Sequence, residues 1–263
     1  METIIFKTLA VPQQKRIERF GVPRCVDVHC HCLPGLDDGP RTWTDAIALC
    51  RWIVEDGITT TIATPHQLGR CHRSNSAAKI RRAVEALTGE LAQEHIPLEV
   101  LPGADVRVDE QVLALLDAHE ILTLADRGEY LLLELPHELF IDPQPLLEGL
   151  IRRRVRPILS HPERYCFLQQ SAGIVDSWVS AGVVIQITAG SLLGDFGRSA
   201  RTTAWELVER GLVGLVATDA HDAEQRIPRL SAAIEMLSAE VGVEFARQVC
   251  LVNPLAVVEG RDI

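Results

Sequence analysis

Short apolar runs rich in β-branched residues alternate with amphipathic helical stretches along most of the chain. The runs lie at residues 25–28, 58–63, 98–103, 130–133, 156–159, 183–187 and 212–217. Continuous apolar strands that alternate with helices are typical of a parallel sheet buried on both faces. About seven such units in one chain favour a closed barrel. We therefore predict an α/β fold, a distorted (β/α)7 TIM-like barrel, with an open doubly wound sheet as the alternative.

The length and composition place these units in one domain. The chain has 263 residues, 47% of them hydrophobic, which is enough for one large domain or two small ones. Residues 1–24 hold loop-like Pro and Gly positions, so we predict an N-terminal extension over 1–24 and the folded domain over 25–263. No Gly-rich phosphate loop of the G-x-G-x-x-G or G-x-x-x-x-G-K-[ST] type follows any of the runs, which argues against nucleotide binding in that form.

Charge and cysteine usage restrict the partners and the compartment. A net charge of −10 argues against a nucleic-acid backbone as partner. No stretch is long and apolar enough for a membrane span, and the N-terminus lacks a signal-peptide pattern. The chain has seven cysteines, an odd number, and their spacing is irregular. Both features fit reduced thiols better than a disulfide framework. We expect a cytoplasmic protein without membrane insertion.

Polar side chains follow most of the predicted strands. His29 and His31 come at the end of the first strand, where alternate residues share a face, and the turn at Asp37-Asp38 returns carboxylates to the same place. The residues at the ends of later strands are His66, Asp105, Glu134, His161, Asp219 and His221. In a parallel barrel these carboxyl ends meet at one rim, where active sites form.

Mixed imidazole and carboxylate groups are typical metal ligands. The set is larger than the three or four ligands one zinc ion needs, so it suits two or three divalent ions bridged by carboxylates. Mn²⁺, Fe²⁺ and Zn²⁺ all accept such ligands. Structural alternatives stay open for three members: Asp219 as a helix N-cap, Glu134 as a buried ion-pair partner and Asp105 as a turn residue.

Arginine supplies the candidate anion-binding groups. Arg164 and Arg226 follow His161 and His221 closely and could hold phosphate oxygens in bidentate fashion; the alternative for each is a solvated loop arginine. No cysteine has an arginine six residues later, which excludes a cysteine-phosphatase loop, and the G-x-S-x-G nucleophile elbow is missing. The absence of C-x-x-C argues against a structural zinc knuckle. The remaining histidines, interpreted as surface or capping residues, are His72, His95, His119 and His137.

Several of these stretches resemble one known superfamily. They are Asp-Val-His-Cys-His (27–31), Asp-Asp-Gly-Pro (37–40), Ala-Thr-Pro-His (63–66), Pro-Gly-Ala-Asp-Val (102–106), Leu-Leu-Glu-Leu-Pro (132–136), Leu-Ser-His-Pro-Glu-Arg-Tyr (159–165), Gln-Ile-Thr-Ala-Gly-Ser-Leu-Leu-Gly-Asp-Phe-Gly (186–197) and Ala-Thr-Asp-Ala-His (217–221). They resemble the PHP (polymerase and histidinol phosphatase) superfamily, and more narrowly its bacterial capsule and exopolysaccharide-type protein-tyrosine phosphatases. The resemblance extends from about Val26 to about Pro254.

The resemblance implies a PHP-type barrel with a three-metal centre, usually active with Mn²⁺. The implied ligands are His29, His31, Asp38, His66, Asp105, Glu134, His161, Asp219 and His221. Arg164 and Arg226 would hold the phosphate. The family commonly has Glu at the position of Asp105, and the shorter side chain could lengthen or lose a bridge to one ion.

The activity that this resemblance implies is hydrolysis of phosphotyrosine in protein by a metal-bridging hydroxide, on the tyrosine-rich tail of a kinase that regulates polysaccharide export. Two alternatives remain open: a small-molecule phosphatase, such as one for histidinol phosphate, and a non-catalytic metal-binding regulator that docks on the kinase. An amidohydrolase also uses H-x-H at a strand end, but it typically bridges its metals with a lysine, and here Glu134 stands on the middle strand.

Overall fold

The strands of the computed structural model follow the predicted alternation. The structure describes residues 20–69, 75–136, 140–169 and 173–263. Its strands are β1 Val26–Cys30, β2 Thr60–Ala63, β3 His66–Gln67, β4 Glu99–Pro102, β5 Asp105–Arg107, β6 Tyr130–Glu134, β7 Arg156–Ser160, β8 Val184–Thr188 and β9 Val213–Ala217. Every pairing between them is parallel, in two sheets of order β1-β2-β4 and β3-β5-β6-β7-β8-β9.

The two sheets form one barrel-like arrangement. β2 and β3 are successive parts of one strand position, and β4 and β5 are parts of the next, so seven positions follow one another in chain order. The end of β1 contacts the segment after β9, because the His31 amide donates to the Ala220 carbonyl at 2.9 Å and the Asp219 amide to the His29 carbonyl at 2.8 Å. The last position therefore returns to the first, as the predicted α/β barrel requires.

Most of the helices connect successive strands, and the last three follow β9. They are α1 Trp43–Glu55, α2 Ala77–Gln93, α3 Val112–Asp117, α4 Gln144–Arg152, α5 Cys166–Gln169, α6 Gly173–Ser180, α7 Ala189–Leu193, α8 Gly197–Glu209, α9 Leu230–Glu240, α10 Val243–Arg247 and α11 Asn253–Glu259. α1 begins at a capping box, in which Thr42 and Asp45 satisfy each other's backbone amides. Among the described residues, none of the helices is both long and apolar enough to pass through a bilayer.

In the C-terminal region, the sequence after the last apolar run predicts helix apart from a break at Asn253-Pro254, and the structure differs in two respects. Residues 222–229 form no helix. Asn253 instead begins α11 directly after a π-helical turn, Gln248–Val252, with Pro254 in the first turn. Proline is tolerated there because the first amides of a helix have no intrahelical acceptor. The Asn-Pro pair predicts a break in a helix, but here Pro254 lies in the first turn of α11.

Two apolar layers hold the strands in place. The inner layer contains Val26, Tyr130 and Leu215 from the strands, packed against Leu255 and Val257 of α11. The larger outer layer lies between the strands and the surrounding helices. Burial on both faces explains the continuous apolar sequence of the strands. Because the inner layer reaches the first residues of β1 and β6, α11 covers the end of the barrel opposite to the carboxyl ends of the strands.

Of the predicted N-terminal extension, the structure describes only residues 20–24. Residues 1–19 lie outside the described residues, and Phe20 is buried, with its carbonyl accepting from Arg247 Nε at 2.9 Å. Arg24 pairs with Glu99 and also donates to Thr60 Oγ1. Residues 20–24 thus pack on the domain, and the division into 1–24 and 25–263 stays a prediction.

A buried carboxylate far from the rim gives a testable pH dependence. Asp56 accepts from the amide and hydroxyl of Ser231, in the first turn of α9, and burial raises its pKa to about 7. The folded state therefore holds this proton more tightly than the unfolded chain. The stabilisation is complete below pH 4 and is lost as the pH rises through 7.

We predict that Asp56→Asn removes this dependence. The measurement is urea unfolding of metal-depleted protein at pH 5 and at pH 8. Between these two pH values, the free energy of unfolding of the wild type should fall by about 2–3 kcal/mol more than that of the variant. Other groups titrate in both proteins and cancel in the comparison. Equal losses in the two proteins would contradict the prediction.

Candidate metal centre

The two histidines of the first strand lie side by side at the rim. His29 and His31 are fully buried, and their Nε2 atoms are 3.2 Å apart. The other nitrogen of each ring has a fixed partner: Gln186 Oε1 is 2.8 Å from His29 Nδ1, and Asp37 Oδ2 is 2.7 Å from His31 Nδ1. These partners leave both Nε2 atoms directed at the same space, which is how metal-binding histidines are oriented in proteins.

All nine implied metal ligands come together at this rim. Their nitrogen and oxygen atoms form four overlapping groups, each with atoms within 4.8 Å of one another. The groups are His31, Asp38, His66 and His221; His29, Asp105 and His161; His29, His31 and Asp219; and His66, Asp105 and Glu134. Shared members connect the groups into one cluster, as expected for several neighbouring cations. Their role as ligands remains a prediction.

Asp105 joins two of these groups. Its Oδ2 lies 3.7 Å from His29 Nε2, 3.5 Å from His66 Nδ1 and 4.0 Å from His161 Nε2, and has no hydrogen-bond partner among the described residues. A buried carboxylate oxygen without a hydrogen bond is costly unless a cation neutralises it. The side chain begins β5 and is buried, so it is not the turn residue of the alternative interpretation. Although shorter than Glu, it reaches both groups.

Asp219 connects the cluster to the arginines. Its Oδ1 lies 3.3 Å from His29 Nε2 and 3.4 Å from His31 Nε2, while its Oδ2 accepts from both Arg164 and Arg226. Burial by itself would raise the pKa of Asp219, but His29 and Arg226 outweigh it and hold that pKa well below its usual range. The next helix begins only at Leu230, so Asp219 is not a helix N-cap.

The electrostatics of the cluster favour added positive charge. Burial would lower the pKa of His66, yet Asp105 and Glu134 raise it to about 10. Burial lowers the pKa of His31 to about 4, so that ring is neutral at pH 7 and keeps a lone pair for a cation. The donors are imidazole nitrogen and carboxylate oxygen, and within the described part of the chain the buried Asp105 Oδ2 and His221 Nε2 atoms have no hydrogen-bond partner. These residues therefore fit divalent metal ions.

Two of the implied ligands have unusual backbone conformations. His161 has φ 35° and ψ 52°, and Asp219 has φ 51°, both in the left-handed region that non-glycine residues seldom occupy. His161 directly follows β7, and Asp219 lies two residues after β9, where the chain leaves a buried strand for the rim loops. Such conformations cost about 1–3 kcal/mol and cluster at functional sites, so the fold stabilises a strained geometry where the ligands are needed.

Further residues at the rim were not predicted from the sequence to contribute to the site. Arg107 Nη1 lies 3.4 Å from Glu134 Oε2, so Glu134 has the ion-pair contact of its alternative interpretation as well as its place in the cluster. Asp37 was predicted only as part of a turn, and Gln186 only as part of a motif. The position of Gln186 near the end of β8, the one late strand without an assigned rim residue, is the signal that could have identified it.

The predicted capping histidines are found at helix ends. His95 and His119 follow α2 and α3 with φ values of 55° and 57°, and both are exposed. His72 and His137 lie outside the described residues.

A parallel α/β barrel with a rim of several histidines and carboxylates is typical of proteins that bind divalent metal ions at that rim. Comparison with known proteins identifies the family. The chain belongs to the family described as "Capsular polysaccharide synthesis, CpsB/CapC", whose model matches residues 25–259. The family prediction made from the sequence is thereby confirmed.

Named relatives agree with this assignment. Tyrosine-protein phosphatase YwqE of Bacillus subtilis is 37% identical over 228 residues, covering 84% of this chain and 86% of the relative. Tyrosine-protein phosphatase CpsB of Streptococcus pneumoniae is 24% identical over 241 residues, covering 89% and 98%. A solved structure from a study of YwqE and CpsB, described as "unique metal-dependent tyrosine phosphatases", superposes with a TM-score of 0.87 at 33% identity, covering 90% of this chain and 96% of the other.

More distant structures support the fold alone. A β-aspartyl dipeptidase from Fervidobacterium islandicum superposes with a TM-score of 0.57 at 13% identity, covering 92% of this chain and 75% of the other.

Proposed function

We propose that this protein is a metal-dependent protein-tyrosine phosphatase, a phosphoric monoester hydrolase of capsule or exopolysaccharide synthesis. The supporting observation is Asp219, whose two oxygens join a cluster of imidazoles to a pair of arginines. That arrangement places anion-binding groups directly beside candidate metal ligands, as phosphoryl transfer needs. The relatives named tyrosine-protein phosphatases give the substrate class.

The ligand assignment we propose is the full cluster. His29, His31, Asp38, His66, Asp105, Glu134, His161, Asp219 and His221 would hold two or three divalent ions, for which Mn²⁺ is the proposed physiological choice. When bound, such ions lower the pKa of water and neutralise phosphoryl oxygens.

The residues of the chain would supply binding and orientation. Arg164 and Arg226 both donate to Asp219 and would donate to the equatorial oxygens of the phosphate in bidentate contacts. Gln186 and Asp37 keep the His29 and His31 rings oriented. The leaving phenol has a pKa of about 10, well below that of an alcohol, so proton donation to it can be modest and we assign no residue to that step.

We infer that the physiological substrate is the phosphotyrosine tail of a bacterial tyrosine kinase and that the reaction takes place in the cytoplasm. This follows the role of the family in capsular polysaccharide synthesis. Comparison of turnover on a phosphotyrosine peptide and on histidinol phosphate tests the choice of substrate. Faster turnover of histidinol phosphate would instead favour the small-molecule alternative.

Metal removal tests the activity itself. Hydrolysis of an aryl phosphate should fall to background after dialysis against a chelator and should return when Mn²⁺ is added. A chelator-treated sample that keeps its activity, but loses it to a thiol reagent, would contradict the proposal. Binding to a kinase without turnover under Mn²⁺, Fe²⁺ or Zn²⁺ would favour the non-catalytic alternative.

A further inference from the structure

The turn between α7 and α8 presents an aromatic ring to the rim. Gly190 has no room for a side chain, because a Cβ there would lie 3.0 Å from Phe196 Cε2 and 3.1 Å from Asp195 Oδ2. Gly194 adopts φ 97°, which favours glycine. The glycines of the Gly-Ser-Leu-Leu-Gly-Asp-Phe-Gly stretch therefore allow Phe196 to fold back over the start of α7.

The residue before the ring anchors this turn. The amide of Asp195 donates to the Gly190 carbonyl at 2.9 Å, and its carboxylate accepts from Arg229 Nη1 at 2.8 and 3.0 Å. These two contacts anchor the turn that carries Phe196.

The ring lies beside both candidate phosphate-binding arginines. The guanidinium carbon of Arg164 is 4.4 Å from the centre of the Phe196 ring, and that of Arg226 is 5.7 Å from it. Both distances fall within the range of cation–π attraction. Two guanidinium groups on one carboxylate repel each other, and the negative face of an aromatic ring compensates part of that repulsion while restricting their rotation.

We propose that Phe196 is a positioning residue that fixes Arg164 and Arg226 for phosphate binding, an inference that rests on the proposed phosphatase function. It acts through the arginines and not on the substrate. Loss of the ring therefore weakens capture of the phosphate group, whatever organic group the phosphate carries.

The first test measures phosphate binding without turnover. Titration calorimetry of Mn²⁺-loaded protein with inorganic phosphate should show the Kd about 10-fold higher for Phe196→Leu. Phe196→Tyr, which keeps the ring, should bind nearly as the wild type does. Phe245→Leu is the matched control, because Phe245 is also partly buried but lies in α10, in the outer apolar layer, and it should leave the Kd unchanged.

A double-mutant cycle separates positioning from a general structural effect. In an Arg164→Met background, which removes the positive charge nearest to the ring, Phe196→Leu should change kcat/KM less than about 2-fold, against about 10-fold in the wild-type background. An undiminished effect in that background, or an effect confined to aryl phosphates and absent for alkyl phosphates, would overturn the proposal.

The outcomes also separate this inference from the proposed function. If the wild type hydrolyses phosphotyrosine and Phe196→Leu binds phosphate as tightly as the wild type does, only the proposed role of Phe196 is wrong. If the wild type binds phosphate more tightly than Phe196→Leu does but hydrolyses no phosphomonoester, the proposed phosphatase function is wrong. The role of Phe196 in anion binding is then retained.

Discussion

Asp219→Asn is expected to lower kcat/KM for a phosphotyrosine peptide by about 10³-fold or more. The carboxylate lies within 3.3–3.6 Å of nitrogens of His29, His31 and His221, and it accepts from both candidate phosphate-binding arginines. An amide keeps the shape but loses the charge that both the cations and the guanidinium groups require. The variant should also bind fewer metal ions, which mass spectrometry of the desalted protein measures.

Asparagine is the right replacement because of the backbone. Asp219 has φ 51°, and Asn tolerates the left-handed region better than most residues, so the fold should be retained. Asp176→Asn is the matched control, since Asp176 also pairs with an arginine, Arg210, but on the exposed face of α6. Activity within 10-fold of wild type for Asp219→Asn would contradict the central role assigned to this carboxylate.

Arg164→Ala should reduce kcat/KM by about 10²–10³-fold while leaving the metal content unchanged. Arg164 has only 17% of its side chain exposed, and the Asp219 and Glu163 carboxylates outweigh burial and keep its pKa raised, so it is charged at any pH of interest. Its loss removes phosphate binding but none of the candidate ligands. Steady-state kinetics and metal analysis on the same samples measure the two effects.

Further variants test whether Arg164 binds phosphate or stabilises the cluster. Arg164→Lys should recover only part of the activity, because an ammonium group cannot make the planar bidentate contact. Arg210→Ala, which removes an exposed partner of Asp176, should have kinetics close to wild type. If Arg164→Ala loses metal as completely as Asp219→Asn does, then Arg164 stabilises the cluster, and its proposed role in phosphate binding is wrong.

The element order was predictable because each strand is buried on both faces and each helix on one. Sequence could not show that two strand positions are interrupted. β2 stops at Ala63 and β3 resumes at His66 after Pro65, which has no amide to donate. β4 and β5 are separated at Gly103, where any side chain would lie 2.6 Å from Ile62 Cγ2. The first interruption coincides with a local proline, whereas the close approach at Gly103 involves a residue that is distant in sequence.

The candidate ligands were predictable for a similar reason. Parallel strands bring their carboxyl ends to one rim, so residues at those ends meet without detailed knowledge of packing. The groups that orient them were not predictable. Gln186 meets His29, which is 157 positions away, and Phe196 meets Arg164 only because the turn around Gly190 folds back. Such contacts depend on side-chain directions, which sequence spacing does not specify.

The most direct test of the account measures metal content and phosphotyrosine-peptide turnover in the same preparations of wild type and His161→Ala. We predict two or three divalent ions per wild-type chain, together with turnover, and a joint loss of both in the variant, because His161 shares its group with His29 and Asp105. Wild-type protein that turns over the peptide while holding no metal, or a variant that keeps full activity, would contradict the account.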